Sequence, residues 1–162
     1  NTIDAIKSFR RTLFGESLTY YSAYSENNKE GIGRGELIGG NLSMLYSLLG
    51  SPSAITTVGK ILFIEDLDEY LYHIDRMMIN LKRNGYFDKL QGLIVGGMTK
   101  MHDNTVPFGK NAQEIIMDVV GAYDFPVCFD FPAGHIDDNR ALIFGTTVNL
   151  TVSKESTILK FN

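Results

Sequence analysis

The sequence predicts an α/β fold, a layered mixed sheet with central parallel strands and an antiparallel flank. Three apolar runs of strand length, at residues 60–64, 90–95 and 127–131, alternate with amphipathic helical segments. This strand–helix–strand order is typical of parallel strands joined by crossover helices. Residues 17–24 and the pair 141–152 and 157–161 mix β-forming with polar residues, which predicts antiparallel strands along the flank.

Length and composition indicate one globular domain. The 162 residues suffice for a core without disulfides, and neither a linker nor a repeat divides them. A net charge of −4 without a basic cluster argues against nucleic-acid or anionic-membrane partners. No apolar run approaches the roughly 20 residues of a membrane span. Because the chain begins at Asn1 rather than Met, we expect it to be part of a longer protein.

The first part of the chain predicts two helices around a β-rich stretch. The apolar spacing over residues 3–14 is helical. Residues 25–35 are polar and rich in glycine, and they are expected to form a loop before a short strand at 36–38. Asn41 is expected to cap a helix that runs through Leu49, because its side-chain oxygen can accept a free backbone N–H.

Two more helices are predicted between the apolar strands. Asp66 and Glu69 form an Asp-x-x-Glu variant of the capping box, which predicts that Asp66 caps a helix closing at Gly85. The same kind of start, Asn-x-x-Glu, opens a predicted helix over residues 111–120.

Glu65 and His135 are the candidate catalytic pair. Glu65 directly follows the strand 60–64, and His135 follows the strand 127–131 through a Pro-Ala-Gly turn. The carboxyl ends of parallel strands share one edge of a sheet, so the two side chains could meet there. A histidine held by a carboxylate keeps its other nitrogen free to take a proton from a nucleophile. The alternative is a structural salt bridge by Glu65 and a plain loop position for His135.

The other reactive residue types have weaker cases. His73 is predicted to be a solvated or helix-packing residue, and His102 a surface residue. Cys128 lies among apolar neighbours, so we interpret it as a buried strand thiol, since reactive thiols need an electropositive, partly open setting. A metal site on Glu65, His135 and Asp137 is a further hypothesis, although the spacing matches no specific ligand motif.

Four separated motifs resemble the LD-carboxypeptidase family of serine peptidases, which includes muramoyltetrapeptide carboxypeptidases and microcin C self-immunity peptidases. The resemblance is carried by residues 59–66 with the following Glu69, Tyr72, Ile74, Asp75 and Arg76, and by Gly39-Gly40-Asn41-Leu42, Leu93-Ile94-Val95-Gly96 and Pro132-Ala133-Gly134-His135. It extends from about residue 39 to the C-terminus.

This resemblance implies a Ser-His-Glu triad in which Glu65 matches the acid and His135 the base. It implies that residues 1–162 are the family's C-terminal domain, of the swivelling β/β/α type, and that the nucleophilic serine lies in a separate N-terminal domain. It further implies a cytoplasmic enzyme without metal or other cofactor. The expected substrate is a cell-wall tetrapeptide that loses its terminal D-alanine, or a peptide–nucleotide conjugate, and a homodimer is possible.

The chain itself contains no serine in the strained strand-to-helix turn that a nucleophile requires. The isolated chain is therefore expected to be inactive. The alternative in a different class is a non-catalytic ligand-binding or regulatory domain that has kept the fold. In that case the neighbouring part of the protein should also lack such a serine.

Overall fold

The structure is a computed structural model that describes residues 2–162. Its strands are β1 (Thr19–Ala23), β2 (Gly31–Asn41), β3 (Ile61–Leu67), β4 (Gly92–Thr99), β5 (Val127–Cys128), β6 (Thr147–Val152) and β7 (Ser156–Phe161). Its helices are α1 (Ile3–Leu13), α2 (Leu42–Ser47), α3 (Leu71–Arg83) and α4 (Ala112–Val120). Over these residues the strands form one sheet in the order β1-β7-β6-β2-β3-β4-β5.

The sheet has a parallel half and an antiparallel half, which confirms the predicted fold class. β2 to β5 pair in parallel, and β1, β7 and β6 continue the sheet with antiparallel pairing. β2 belongs to both halves, because residues 31–36 pair antiparallel with β6 and residues 37–41 pair parallel with β3.

The predicted loop at residues 25–35 is wrong from Gly31 onward, where β2 begins. Its glycines serve a close approach of backbones rather than a turn. A Cβ at Gly33 would lie 1.9 Å from the Gln91 carbonyl oxygen, and one at Gly35 would lie 2.6 Å from the Gly59 oxygen. Only glycine allows the strand to run so near these segments.

The core lies on both faces of the sheet. One buried cluster packs α2, α3 and α4 against the parallel strands, and the apolar stripe of α3 contributes Ile74, Met77, Met78 and Leu81 as predicted. The second cluster lies on the opposite face and contains side chains from both the antiparallel and the parallel strands. None of the helices within residues 2–162 has the length and hydropathy to cross a membrane.

Two of the three predicted helix caps are confirmed. Asn111 makes a complete capping box with Glu114, and the Asn41 side chain accepts the Met44 backbone N–H at 3.2 Å. The predicted cap at Asp66 is wrong, because β3 continues through Leu67 and α3 begins only at Leu71, without a side-chain cap. Asp66 is buried within the sheet and bonds to a different helix.

Two predicted strands are shorter than expected. Only Val127 and Cys128 of the run 127–131 pair with β4 as a strand, although the Phe131 N–H still donates to the Val95 carbonyl. The segment 141–146 precedes β6 instead of extending it, and half of its residues line a cavity. Local β propensity overestimated both lengths because pairing partners, which a sequence pattern does not show, set where a strand ends.

Helix α1 packs through small residues and leaves its large ones outside. Its buried side chains are Ala5 and Ser8. Large apolar side chains along the helix and at its end are 58% to 73% exposed: Ile3, Ile6, Phe9, Leu13 and Phe14. An apolar stripe of this kind is typical of a surface that another part of a protein covers.

Candidate active site

The structure brings Glu65 and His135 together. Glu65 Oε2 accepts a hydrogen bond from His135 Nδ1 at 2.7 Å and a second one from the His135 backbone N–H at 3.1 Å. The Glu65 side chain is only 7% exposed, whereas the His135 side chain is 52% exposed. One carboxylate oxygen therefore fixes both the backbone and the ring of His135.

The pairing also determines which imidazole nitrogen is basic. An ionised carboxylate can only accept, so in the neutral ring the proton belongs on Nδ1. Nε2 then carries the free lone pair, and no hydrogen bond joins it to another residue in the described part of the chain. The arrangement can take up a proton at Nε2 and stabilise the resulting imidazolium through Glu65.

A β-bulge gives the His135 loop its place beside Glu65. The pairing of β3 with β4 slips between Ile64 and Asp66, because Ile64 lies opposite Val95 and Asp66 opposite Met98. Gly96 and Gly97 of β4 occupy the bulge. Gly97 donates its N–H to the Ala133 carbonyl at 3.0 Å, and a Cβ at Gly96 would lie 2.4 Å from that same oxygen. Bulges re-aim side chains in this way beside many functional sites.

The loop around His135 is held by the close approach of Gly134 to Glu65 and by two hydrogen bonds. Gly134 has φ +101°, and a Cβ there would lie 2.8 Å from Glu65 side-chain atoms. Its N–H donates to Asn139 Oδ1 at 3.0 Å, and Thr99 Oγ1 donates to the His135 carbonyl at 3.1 Å. The sequence around Thr99 and Asn139 indicates only a strand end and a loop, so it does not predict these roles.

Asp66 performs a separate task on the other face of β3. Its Oδ1 accepts the Asn41 side-chain N–H at 2.8 Å, and its Oδ2 accepts the Ser43 backbone N–H at 2.9 Å. Ser43 lies in the first turn of α2, where a negative charge is also favoured by the helix dipole. This buried carboxylate joins the end of β3 to the end of β2 and the start of α2.

Replacing Asp66 with Asn should lower the free energy of unfolding by roughly 2–3 kcal/mol, because its buried amide N–H₂ would face one of the two donors that the carboxylate now accepts from. Urea denaturation followed by circular dichroism measures this loss. The control Asp68→Asn changes an exposed carboxylate that pairs with His102, and should cost less than about 1 kcal/mol. Equal losses in the two variants would contradict the role of Asp66.

Open space lies on both sides of Gly134. A cavity of about 510 Å³ extends from Glu65 and Gly134 to Phe144 and the α1 residues Ile6 and Phe9. A groove of about 630 Å³ lies along His135 and is also lined by Gly134. The pair of Glu65 and His135 therefore lies between two surfaces that could bind a peptide on either side of the reacting bond.

The other histidines have carboxylate partners of their own. His73 Nδ1, in the first turn of α3, bonds at 2.6 Å to Oε2 of Glu69, which precedes the helix, and His73 packs against Tyr46. His102 is about half exposed and bonds to Asp68 at 2.5 Å, a pairing that the sequence did not predict.

Cys128 and the metal hypothesis can be judged from burial and spacing. Cys128 is buried, as predicted, and burial raises the pKa of its thiol to about 12, so it stays protonated and unreactive at neutral pH. The metal hypothesis needs at least three ligand side chains close together. Within residues 2–162, no group of three His, Cys, Asp or Glu side chains lies close enough to bind one metal ion. Asp137 thus does not complete a ligand set with Glu65 and His135.

Comparison with known sequences shows a protein family and several relatives that this chain matches over most of its length. Residues 34–150 match the family described as the LD-carboxypeptidase C-terminal domain. The chain belongs to this family. A probable murein peptide carboxypeptidase of Bacillus subtilis is 34% identical over 161 residues, which cover 95% of this chain and 49% of the relative. The microcin C7 self-immunity protein of Escherichia coli is 32% identical over 116 residues, covering 68% of this chain and 32% of the relative.

Solved structures of LD-carboxypeptidase relatives share the fold. The muramoyltetrapeptide carboxypeptidase of Oxalobacter formigenes superposes with a TM-score of 0.90 at 24% identity. The match covers 99% of this chain and 55% of that protein. This chain therefore spans about half the length of the Bacillus subtilis and Oxalobacter formigenes relatives.

Proposed function

We propose that residues 1–162 are the C-terminal domain of a serine LD-carboxypeptidase, with Glu65 as the orienting acid and His135 as the general base. The observation that carries the proposal is the 2.7 Å bond from His135 Nδ1 to the buried Glu65, which leaves Nε2 free on a half-exposed side chain. The nucleophilic serine belongs to a domain N-terminal to this chain. Family membership supports the reaction class.

In the proposed reaction, the serine hydroxyl gives its proton to His135 Nε2 while its oxygen attacks the scissile carbonyl carbon. Glu65 stabilises the imidazolium that forms. The imidazolium then gives the same proton to the leaving amine, the C–N bond breaks, and an acyl-enzyme remains. Water repeats the cycle through Nε2 and releases the shortened peptide.

The uncovered face of α1 supports the presence of an adjoining domain. Ile6 and Phe9 border the cavity that ends at Glu65, and they belong to the exposed apolar stripe of the helix. A domain that brings a serine to His135 has to approach the same edge of the sheet. Covering this stripe would bury apolar surface worth about 25 cal/mol per Å², which favours that approach.

The proposed substrate is a murein tetrapeptide that ends in D-alanine, cleaved in the cytoplasm during cell-wall recycling. The name of the Bacillus subtilis relative supports a murein peptide. Similarity to the microcin C7 self-immunity protein makes a peptide–nucleotide conjugate the second candidate substrate. A possible homodimer stays a prediction.

The proposal is tested by incubating the full-length protein and the isolated chain with a synthetic tetrapeptide that ends in D-alanine. We expect free D-alanine, detected by mass spectrometry, only from the full-length protein. The diastereomer that ends in L-alanine serves as the control and should stay intact. A full-length protein that binds the peptide without cleaving it would instead favour a non-catalytic domain of the same fold.

A further inference from the structure

Lys100 lies in the groove along His135. It directly follows β4, and the groove is lined by residues from the ends of β3 and β4 and by the His135 loop. Among the described residues that line this groove, Lys100 is the one lysine or arginine. A single cationic side chain in the groove that runs along His135 is a specific electrostatic feature of the surface.

The backbone around Lys100 is tied to the site. Thr99 donates its hydroxyl to the His135 carbonyl at 3.1 Å, and its own carbonyl accepts the Asp68 N–H at 3.0 Å. Lys100 is the next residue after Thr99, so its Cα lies about 3.8 Å from the Cα of the residue that is hydrogen-bonded to His135. Its φ of +52° is left-handed, a conformation that is unfavourable for lysine and persists only where the surroundings hold it.

The ammonium group of Lys100 has no counter-ion of its own. No carboxylate within residues 2–162 forms an ion pair with it; Lys60, Lys110 and Lys154 have one, and the other lysines of the described chain also lack one. Arg140, a cation lining the neighbouring cavity, differs in this respect. Its guanidinium donates twice to Asp138 Oδ2, at 3.1 and 2.8 Å, so its charge is already balanced.

The proposed reaction needs a carboxylate-binding group near His135 Nε2. The leaving group is an amino acid whose carboxylate is separated from its amine by one carbon atom, and the amine must reach His135 Nε2 to be protonated. A group that binds the carboxylate must therefore lie a few ångströms from Nε2. Asp137 also lines the groove, but its charge has the wrong sign for this task.

We propose that Lys100 binds the terminal carboxylate of the substrate and so restricts the enzyme to the ends of peptides. This role rests on the proposed carboxypeptidase function. In this role Lys100 selects which substrates bind and takes no part in breaking the peptide bond. A charge-assisted hydrogen bond of this kind changes affinity by roughly 10- to 100-fold.

The test measures binding by calorimetry, using full-length protein with His135→Ala so that the peptide is not consumed. The tetrapeptide acid is compared with its C-terminal amide. We expect the acid to bind roughly 10- to 100-fold more tightly, and Lys100→Met to remove most of this difference by weakening only the acid. Lys100→Arg should keep the preference, and so should Asp137→Asn, which alters a charge in the same groove.

An acid preference that survives in Lys100→Met, or one that is absent already in the parent, overturns the role of Lys100. Hydrolysis by the otherwise unchanged enzyme is measured separately. Cleavage of the tetrapeptide together with Lys100-independent binding would reject this inference and keep the proposed function. Lys100-dependent binding of the acid without any cleavage would reject the proposed function alone. The left-handed backbone at residue 100 is about equally unfavourable for lysine, methionine and arginine, so differences between these variants reflect the side-chain charge.

Discussion

Replacing Glu65 with Gln is expected to lower kcat/KM of the full-length enzyme by roughly 10³-fold or more, mostly through kcat. The amide has nearly the shape of the carboxylate, so its oxygen can still accept the two hydrogen bonds from His135. What it loses is the negative charge that stabilises the imidazolium. Steady-state release of D-alanine measures the effect, and thermal unfolding checks that the variant is folded.

Glu69→Gln is the matched control for this substitution. Glu69 also accepts a bond from a histidine Nδ1, at 2.6 Å, but its partner His73 lies on α3 and away from the His135 groove. Its change should leave kcat within about twofold, since neither Glu69 nor His73 lines the cavity or the groove beside Glu65 and His135. A Glu65→Gln enzyme that keeps more than a tenth of the activity would refute the assignment.

Replacing Gly134 with Ala should lower both stability and activity. The new methyl group would lie 2.8 Å from three atoms of the Glu65 side chain, in a residue whose φ of +101° already excludes other side chains. Either the loop or Glu65 has to move, so we expect a loss of about 2–4 kcal/mol in unfolding free energy and at least a 10²-fold lower kcat. Urea denaturation and D-alanine release measure the two effects.

Gly145→Ala separates the clash from the backbone strain. Gly145 has φ +81°, but no atom lies within 4 Å of the position where its Cβ would be. This variant should lose only about 1–2 kcal/mol, the penalty of a left-handed conformation, and should keep its kcat. If the two variants lost equal stability and activity, contact with Glu65 would not explain the effect at Gly134.

The sequence could predict the parallel half of the fold because that half follows from local patterns. A buried parallel strand is a continuous apolar run, and two of the predicted runs became β3 and β4, although these strands continue past the predicted ends to Leu67 and Thr99, so that Glu65 lies within β3. The meeting of Glu65 and His135 follows from a general rule about strand ends rather than from any feature close in sequence. Here the rule and the family resemblance agreed.

The errors arose where one residue type has two physical uses. By composition, Gly33 and Gly35 indicate a loop, yet in the structure they let β2 lie very close to the backbone at Gln91 and Gly59. Asp66 and Glu69 have the spacing of a capping box, but the partners of Asp66 are Asn41 and Ser43, 25 and 23 residues away. No local pattern can reveal a partner at that distance.

The pairing of β1 with β7 has a consequence for how the domain folds. Thr19 lies opposite Lys160, so the antiparallel edge joins segments that are separated by almost the whole chain. β2 likewise depends on β6 for its first six residues. Pairings of such long range are slow to form and leave strand edges unpaired in the meantime. On a ribosome the antiparallel half cannot close before β7 emerges, and removing β7 should leave β1 and β6 as open edges that invite aggregation.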